Sequence, residues 1–364
     1  MGDRASEDQV ARLRLIRSEN IGPVTFFQLL ARFGSAAAAL AAVPELAARG
    51  GGRAPRLAGR AAVEREMEEV ARLGARYLFL GQGLYPPLLA EIETAPPAII
   101  VKGHLSLLDK PAVAVVGARN ASAAACRFAR DLARQLGKAG TAVVSGLARG
   151  IESAAHDGSL ESGTVAVVAG GIDIFYPPEN EARQRAIAER GLLVAEQPPG
   201  TEPRARHFPY RNRIIAGLAH GTVVVEAAPR SGSLITARLA AEAGREVMAV
   251  PGSPLDPRAQ GCNQLIREGA TLVQNAEDVM EAIEPGRIRP FRQPERDFTP
   301  TDIPVEVDDA DRRAVTGLLN AVAVPVDEIV RQSALSPAVV QTVLLELELA
   351  GRLDRHAGGK VSLV

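Results

Sequence analysis

Residues 112–119 read Ala-Val-Ala-Val-Val-Gly-Ala-Arg, five apolar residues followed directly by a glycine, an alanine and an arginine. Six more short apolar runs follow, and most are separated by stretches long enough for a helix. Runs of this length without polar alternation are typical of strands buried on both faces of a parallel sheet. The pattern therefore predicts a doubly wound α/β domain. Its further strands are predicted at 142–144, 165–169, 192–195, 222–225, 247–250 and 271–273.

The part of the chain before this domain has apolar residues at helical spacing, with Gly34 as a helix stop. We predict a small helical domain over residues 1–75, with the glycines at 50–52 as a separator. Asn20-Ile21-Gly22-Pro23 resembles the hairpin of helix-hairpin-helix DNA-binding modules, whose backbone N–H groups can hold a phosphate. Asn20 stands where that hairpin usually has glycine, so a plain packing domain is the favoured interpretation and DNA contact the alternative.

The part of the chain after the α/β domain begins with a proline-rich stretch of mixed charge, which predicts an extended linker over residues 285–307. Three helical stretches at 309–320, 325–331 and 337–350 follow, and then two extended pieces around Gly358-Gly359. This order predicts a winged-helix domain over residues 308–364. Its third helix has no Lys or Arg, so a protein-contact or regulatory role suits it better than reading a duplex groove.

Composition excludes several classes of protein. The chain of 364 residues has 46% hydrophobic and 23% charged residues, which is ordinary for a soluble protein. It contains no apolar run of about 18 residues and no apolar leader, so we expect a cytoplasmic protein without a membrane partner. Its only cysteines, Cys126 and Cys262, form no CxxC pair and are interpreted as buried, inert thiols, which leaves neither a disulfide framework nor a metal site. The net charge of −1 means that any nucleic-acid site must be built from locally clustered cations.

Ligands of open parallel sheets bind at the carboxyl ends of the strands. Here three predicted strands end in glycine loops that open helices, an arrangement that lets the backbone approach an anion. Two of these loops also carry arginine. None of them is a GxGxxG or a GxxxxGK[ST] sequence, so neither a dinucleotide nor an ATP cofactor is expected. The loops are 117–119, with Gly117 and Arg119, 145–150, with Gly146 and Arg149, and 170–171.

The most basic stretch is 203–213, with four arginines, one histidine and no acidic residue. It interleaves these cations with Phe208 and Tyr210, a mixture that lets a surface hold phosphates while bases stack on aromatic rings. We expect Arg211, Asn212 and Arg213 to converge on one phosphate at the start of a helix over 214–219. A solvated basic loop that only caps this helix is the alternative. Further along, Ser231 opens another helix, either as a cap or as part of the site.

Three acidic residues, Asp173, Glu196 and Glu226, also follow predicted strands at this edge of the sheet. Two facing carboxylates there could perform acid–base chemistry on a nucleotide, which supports a nucleotide- or nucleoside-processing hydrolase as an alternative function. No histidine stands near them in a nucleophile pattern. Pairing of these carboxylates with the arginines is the favoured interpretation.

The motifs taken in order resemble the DNA-processing protein A family, also called Smf. The resemblance is dense from about residue 85 to 275. Ala118 and Glu152 are small departures, since the family more often has Ser or Thr at the first position and Asp at the second. The motifs are Val-Gly-Ala-Arg at 116–119, Ser-Gly-Leu-Ala-Arg-Gly-Ile-Glu at 145–152, Gly-Ile-Asp at 171–173 with Tyr-Pro at 176–177, Phe-Pro-Tyr-Arg-Asn-Arg at 208–213, Ser-Gly-Ser-Leu-Ile-Thr-Ala at 231–237, Val-Pro-Gly at 250–252 and Gly-Cys-Asn at 261–263.

This resemblance implies a non-catalytic protein that binds single-stranded DNA during natural transformation and helps to load the RecA recombinase onto it. Single-strand-binding protein is a further implied partner. The resemblance also implies a Rossmann-like core over residues 76–284 that forms a homodimer, a sterile-alpha-motif-like N-terminal domain and a winged-helix appendage. The basic pocket of the family maps here onto Arg119, Phe208, Arg211, Asn212 and Arg213.

Overall fold

The computed structural model describes residues 6–284, 307–356 and 358–364. The chain divides into two compact units. The first combines residues up to Arg65 with residues from Arg296 onward, and the second contains Glu66–Glu295. The predicted linker at 285–307 lies outside the described residues, except for Val307.

The second unit is built on a nine-stranded sheet in the order β1-β2-β6-β5-β4-β3-β7-β8-β9. The strands from β3 onward confirm the seven predicted runs, and every neighbouring pair among them is parallel. Residues 76–101, where the sequence predicts two further extended pieces, supply β1 and most of β2, which extend the sheet antiparallel at one edge. The strands are β1 (Arg76–Phe79), β2 (Ala98–Gly103), β3 (Ala112–Val116), β4 (Ala142–Ser145), β5 (Thr164–Val168), β6 (Leu192–Ala195), β7 (Gly221–Val224), β8 (Glu246–Ala249) and β9 (Thr271–Leu272).

Helices lie between the strands and bury the sheet, as a doubly wound core requires. Every residue of β3, β4 and β5 is buried, which explains why these strands are continuous apolar runs rather than alternating ones. The helices of this part of the chain are α4 (Arg60–Arg72), α5 (Pro87–Ala90), α6 (Ala123–Lys138), α7 (Ile151–Ser159), α8 (Glu181–Arg190), α9 (His207–Gly217), α10 (Gly232–Glu242), α11 (Gln260–Arg267) and α12 (Ala276–Ala282).

The strand order reverses at β3. From β3 the chain moves through β4 and β5 to β6 on one side, and it then returns to place β7 on the other side of β3. Loops leave the carboxyl ends of β3 and β7 in opposite directions at such a point, and the resulting crevice is where open α/β sheets bind ligands.

The first unit contains both flanking domains. The helical domain and the winged helix confirm the predicted fold, and the winged helix gains a third short strand in the order β10-β12-β11. The elements are α1 (Glu7–Ile16), α2 (Pro23–Phe33), α3 (Ala36–Arg49), α13 (Asp309–Gly317), β10 (Val324–Pro325), α14 (Val326–Ser333), α15 (Pro337–Leu349), β11 (Leu353–His356) and β12 (Lys360–Leu363).

The third winged-helix helix, α15, packs against the N-terminal helices. Leu345 and Leu349 join the same apolar cluster as Phe26 and Leu29. Polar contacts border this cluster, since Gln28 Nε2 donates to Gln341 Oε1 at 3.0 Å. Residues 340–349 are buried or half-buried throughout, and of this helix only Pro337 and Ala338 are exposed.

The glycines after α3 belong to this packed junction, although the sequence suggested a separator. Gly50 lies so close to α15 that a Cβ atom there would come within 2.1 Å of the Glu346 carbonyl oxygen. A side chain at this position would push the helices apart. Close backbone packing, rather than flexibility, explains glycine at Gly50.

Among the described residues, no single helix is both long and apolar enough to cross a membrane. The bent pair α2 and α3, which meet at 105°, passes that test jointly on length and composition.

Gly50→Ala tests the close packing of Gly50 on α15. We expect this variant to lose about 1–3 kcal/mol of unfolding free energy, because a methyl group must be forced against the backbone of α15. Gly59→Ala is the matched control, since a Cβ atom there meets nothing within 4 Å. Urea denaturation followed by circular dichroism measures both, and equal stability of the two variants would contradict the packing argument.

Candidate nucleic-acid interface

A cavity of about 240 Å³ lies at the carboxyl edge of the core sheet, where the loops after β3, β4 and β5 meet the start of α9. It brings together arginines from three separate segments with two aromatic rings. The lining residues are Arg119, Gly146, Leu147, Ala148, Arg149, Ala169, Tyr176, Pro177, Pro178, Glu179, Phe208 and Arg211.

Helix α9 begins at His207, which corrects the loop expected through residue 213. Pro209 is the third residue of this helix, a place where proline is tolerated because the N–H groups of the first turn have no partner inside the helix. Helical geometry then decides which side chains face the cavity. Phe208 and Arg211, three residues apart, share one face, whereas Arg213 projects from another.

Arg211 is held in place by a buried carboxylate. Its Nη1 lies 3.3 Å from Glu152 Oε2, and only 5% of the arginine side chain is exposed. Gly146 makes room for this guanidinium, because a Cβ atom at Gly146 would lie 1.1 Å from Arg211 Nη1. The glycine after β4 therefore serves the position of an arginine side chain, and the sequence argument had assigned it only to close backbone approach.

The residues next to Arg211 do not converge with it. Arg213 Nη2 lies 2.5 Å from Glu196 Oε1, and the arginine side chain is 7% exposed. Asn212 Nδ2 donates to the Gly232 carbonyl at 3.4 Å. Ser231 caps α10 by accepting the N–H of Ser233. None of Asn212, Arg213 and Ser231 lines the cavity.

Phe208 is the centre of the charged and aromatic contacts in the cavity. The guanidinium carbon of Arg119 lies 5.2 Å from its ring centroid, and that of Arg211 lies 5.9 Å away. Tyr176 approaches the same ring at 5.7 Å between centroids. Two cations and a second ring around one phenyl group form a surface suited to stacking a flat, electron-rich group.

Arg119 and Arg149 supply the accessible positive charge of the cavity. Both residues are exposed. Arg149 Nε lies 3.6 Å from Glu179 Oε1, and both side chains of this pair are more than half exposed, so the pair is weak. Within the described part of the chain, Arg119 has no carboxylate at ion-pair distance.

Internal carboxylates occupy several N–H groups at this edge of the sheet, including that of Ala148 in the loop after β4. Ala148 N donates to Glu152 Oε2 at 2.9 Å, and Ser122 N donates to Glu226 Oε2 at 2.8 Å. The Gly200 N–H donates to Asp173 at 2.9 Å. An incoming anion must therefore be bound mainly by arginine side chains rather than by these backbone groups.

The same contacts bear on the hydrolase alternative. Glu196 is paired with Arg213, which confirms its predicted pairing role, and Glu226 lies 3.9 Å from Arg258. Asp173 instead accepts a backbone N–H. Among the residues that the structure describes, no group of three His, Cys, Asp or Glu side chains is arranged to hold a metal ion.

Sequence reasoning did not select Leu147, Tyr176 or Glu179 for the site. Leu147 is fully buried with a φ of 61°, a strained conformation for a leucine, and its carbonyl accepts a hydrogen bond from Asn180 Nδ2 at 2.7 Å. Nothing in the sequence predicts that this leucine adopts a positive φ angle. Tyr176 could have been found, because an aromatic residue after a glycine loop at the sheet edge is a natural stacking surface.

Of the two thiols, Cys262 is buried, and burial raises its pKa to about 12, which confirms its interpretation as inert. Cys126 is only half-buried, which corrects its interpretation as a buried thiol.

Residues 76–284 match the profile of a family described as DNA recombination-mediator protein A. The chain belongs to the DNA recombination-mediator protein A family. Residues 6–68 match the family's helix-hairpin-helix N-terminal domain, and residues 299–359 match its winged-helix domain. The match of residues 6–68 favours the hairpin interpretation of residues 20–23, while the likeness to a sterile-alpha-motif domain stays a prediction.

Relatives in this DNA-processing family agree with the assignment. The DNA processing protein DprA of Streptococcus pneumoniae is 46% identical over 202 residues, which span 55% of this chain and 71% of that protein. Protein Smf of Escherichia coli is 38% identical over 283 residues, which span 77% of this chain and 75% of that protein.

Two solved structures of the family share the fold. The S. pneumoniae DprA structure aligns with a TM-score of 0.63 and 33% identity over 78% of this chain and 99% of that one. The Helicobacter pylori structure, described as showing a single-stranded DNA binding mode, aligns with a TM-score of 0.52 and 28% identity over 56% of this chain and 94% of that one.

His156 on α7 provides a pH test of the core beneath the site. Burial, with smaller contributions from Arg183 and Arg211, lowers its pKa from 6.5 to about 3. The unfolded chain takes up a proton near pH 6.5 while the folded chain does not. We therefore expect this residue to reduce stability as the pH falls from 6.5 towards 3, by at most ~1.4 kcal/mol per pH unit.

Ring-nitrogen NMR of selectively labelled histidine measures this pKa directly. We expect the His156 ring to remain neutral at pH 5, with Nδ1 in its 2.7 Å hydrogen bond to Thr164 Oγ1. Protonation of that ring above pH 5 in the folded protein would contradict the buried placement.

Proposed function

We propose that this protein is a non-catalytic, single-stranded DNA-binding protein that acts in natural transformation and helps to load the RecA recombinase onto incoming DNA. The observation that carries the proposal is the cavity at the carboxyl edge of the sheet, which combines Arg119, Arg149 and Arg211 with Phe208 and Tyr176. Arginines beside aromatic rings bind phosphate and base together, and this combination is the usual basis of single-strand binding.

The aromatic ring in the cavity favours a single strand over a duplex. In a duplex the base faces are covered by their neighbours, so a stacking contact with Phe208 requires an unpaired base. A duplex would offer these arginines only its phosphates.

The arginines divide into two kinds by their partners. Arg119 is exposed, so we assign it to a DNA phosphate. We assign Arg149 to a phosphate as well, because its ion pair with Glu179 is weak and a phosphate can displace it. Arg211 is anchored by Glu152 and supports the ring of Phe208 from the interior. Arg213, in the middle of α9 and buried beside Glu196, is assigned to holding this helix against the end of β6 rather than to DNA.

The proposed partners rest on the family resemblance. RecA, single-strand-binding protein and a second copy of the Rossmann-like core are the partners that it implies, and they imply a cytoplasmic location. The names of the relatives support DNA processing in general, and the description of the H. pylori structure supports single-strand binding by that protein.

A nucleotide-processing hydrolase at the same edge is the alternative function. Engagement of Asp173, Glu196 and Glu226 by arginines or backbone N–H groups weighs against it, since a catalytic carboxylate needs free access to its substrate. Release of base or phosphate from a mononucleotide by the purified protein would favour the hydrolase.

Binding of single-stranded and duplex DNA separates the proposal from general phosphate affinity. In a gel-shift titration with oligonucleotides of equal length, we expect clearly tighter binding of the single strand, without added nucleotide or metal, because only unpaired bases reach Phe208. Equal affinity for both forms, or a strict requirement for ATP, would contradict the proposal.

Salt titration of single variants assigns individual contacts. We expect Arg119→Ala to flatten the slope of log affinity against log salt by about 0.7, because one phosphate contact and its released counterion are lost. Phe208→Ala should weaken binding by about 1–3 kcal/mol and leave the slope nearly unchanged, since stacking releases few ions.

Two further variants complete this series. Arg213→Ala should lower the melting temperature with little change in slope, because it leaves Glu196 without its buried partner. Arg134→Ala, on α6 and paired with Asp131 at the exposed surface, is the matched control and should change neither quantity. An unchanged slope for Arg119→Ala would remove the phosphate contact from the proposal.

A further inference from the structure

A second cavity of about 240 Å³ lies within the first unit, where the end of α3 and the glycines after it meet α13 and α15. Its lining is unusually basic for a small cleft. Four of the ten lining residues are arginines, and one is a carboxylate. The residues are Arg49, Gly50, Gly51, Arg312, Arg313, Thr316, Val343, Glu346, Leu347 and Arg352.

The carboxylate in the lining, Glu346, is fully engaged by one of these arginines. Glu346 is 1% exposed and accepts two hydrogen bonds from Arg312, at 2.8 Å and 3.1 Å. Hydrogen bonding to Glu346 is also the largest cause of the raised pKa of Arg312. This bidentate pair cancels its own charge, so the net charge of the lining comes from the other three arginines.

Two of those arginines are held by backbone carbonyls, which position them without neutralising them. Arg313 Nε donates to the Asp309 carbonyl at 3.0 Å, and Arg352 Nη1 donates to the Gly50 carbonyl at 3.0 Å. In the part of the chain that the structure describes, neither has a carboxylate at ion-pair distance. Since a guanidinium has five N–H donors, each retains donors for a ligand.

Two acidic side chains stand at the rim of the cleft. Glu45 pairs with Arg49, and Asp309 pairs with Arg312 at 3.3 Å. These carboxylates are 70% and 90% exposed, so water screens both pairs and they contribute little. Neither carboxylate lines the cavity.

We propose that this cleft binds a phosphate group, supplied either by a DNA strand or by free phosphate. The planar donors of Arg313 and Arg352 suit the oxygens of a tetrahedral anion, and Val343 and Leu347 provide an apolar floor that lowers the local dielectric. The Thr316 hydroxyl adds a neutral donor. This site is independent of the proposed single-strand cavity, whose residues all belong to the second unit.

The cleft exists only because the two ends of the chain fold together. Arg49 comes from the N-terminal domain, whereas Arg313 and Arg352 come from the winged helix. A phosphate bound between them bridges the two domains and stabilises their junction by ligand linkage. The winged helix thus gains a ligand contact whose free arginines, Arg313 and Arg352, lie outside α15.

Hydrogen-exchange mass spectrometry of the full chain tests the site and locates it. Inorganic phosphate is one probe and a 5′-phosphorylated oligothymidine is the other. We expect protection of the segments around residues 45–53 and 309–317, and Arg313→Ala should raise the probe concentration needed for half-protection about tenfold. Arg49→Ala should act in the same direction, and both residues are exposed, so the fold is not at risk.

Arg331→Ala is the matched control, because Arg331 is an exposed winged-helix arginine on α14 that pairs with Glu328. Protection by phosphate alone would support a phosphate-group site, and protection by the oligonucleotide alone would support the site with DNA as its source. Absence of protection with both probes would overturn the proposal. Equal loss of protection in Arg331→Ala and Arg313→Ala would also overturn it, because general charge would then explain the effect.

Discussion

The buried pair of Arg211 and Glu152 links the elements that form the candidate site. Glu152 lies in the first turn of α7, accepts the Ala148 N–H of the loop after β4 and receives the guanidinium from α9. Gly146 leaves room for that guanidinium. A buried charge needs such a partner, because an unpaired one is costly in a low dielectric. The pair therefore sets the position of α9 against the sheet edge, and with it the position of Phe208.

Local charge, rather than overall charge, explains how a chain with a net charge of −1 presents a site for an anion. Around the candidate site the core buries Arg211 and Arg213 beside glutamates and leaves Arg119 and Arg149 exposed in the cavity that Phe208 lines. The first unit repeats this principle. Arg312 forms an ion pair with Glu346, whereas Arg313 and Arg352 donate to backbone carbonyls and their charges are not neutralised. In both places a carboxylate decides which arginine remains accessible.

The family's flanking domains form a packed unit rather than two separate appendages. Leu345 and Leu349 of α15 complete the apolar core of the N-terminal helices, and Gly50 permits close backbone contact. This packing buries the helix that a winged helix commonly offers to a DNA groove. It agrees with the lack of Lys and Arg on that helix.

The sequence by itself determined the parallel core, the winged helix and the basic character of the sheet edge. These features depend on the spacing of apolar residues and on the positions of glycines and arginines within short stretches of the chain. It also selected Arg119, Phe208 and Arg211. Tertiary structure alone decided that Arg213 turns away to Glu196, that Tyr176 joins Phe208 and that the two ends of the chain pack together. These outcomes depend on the helical phase of α9 and on contacts between segments far apart in sequence, which no local pattern encodes.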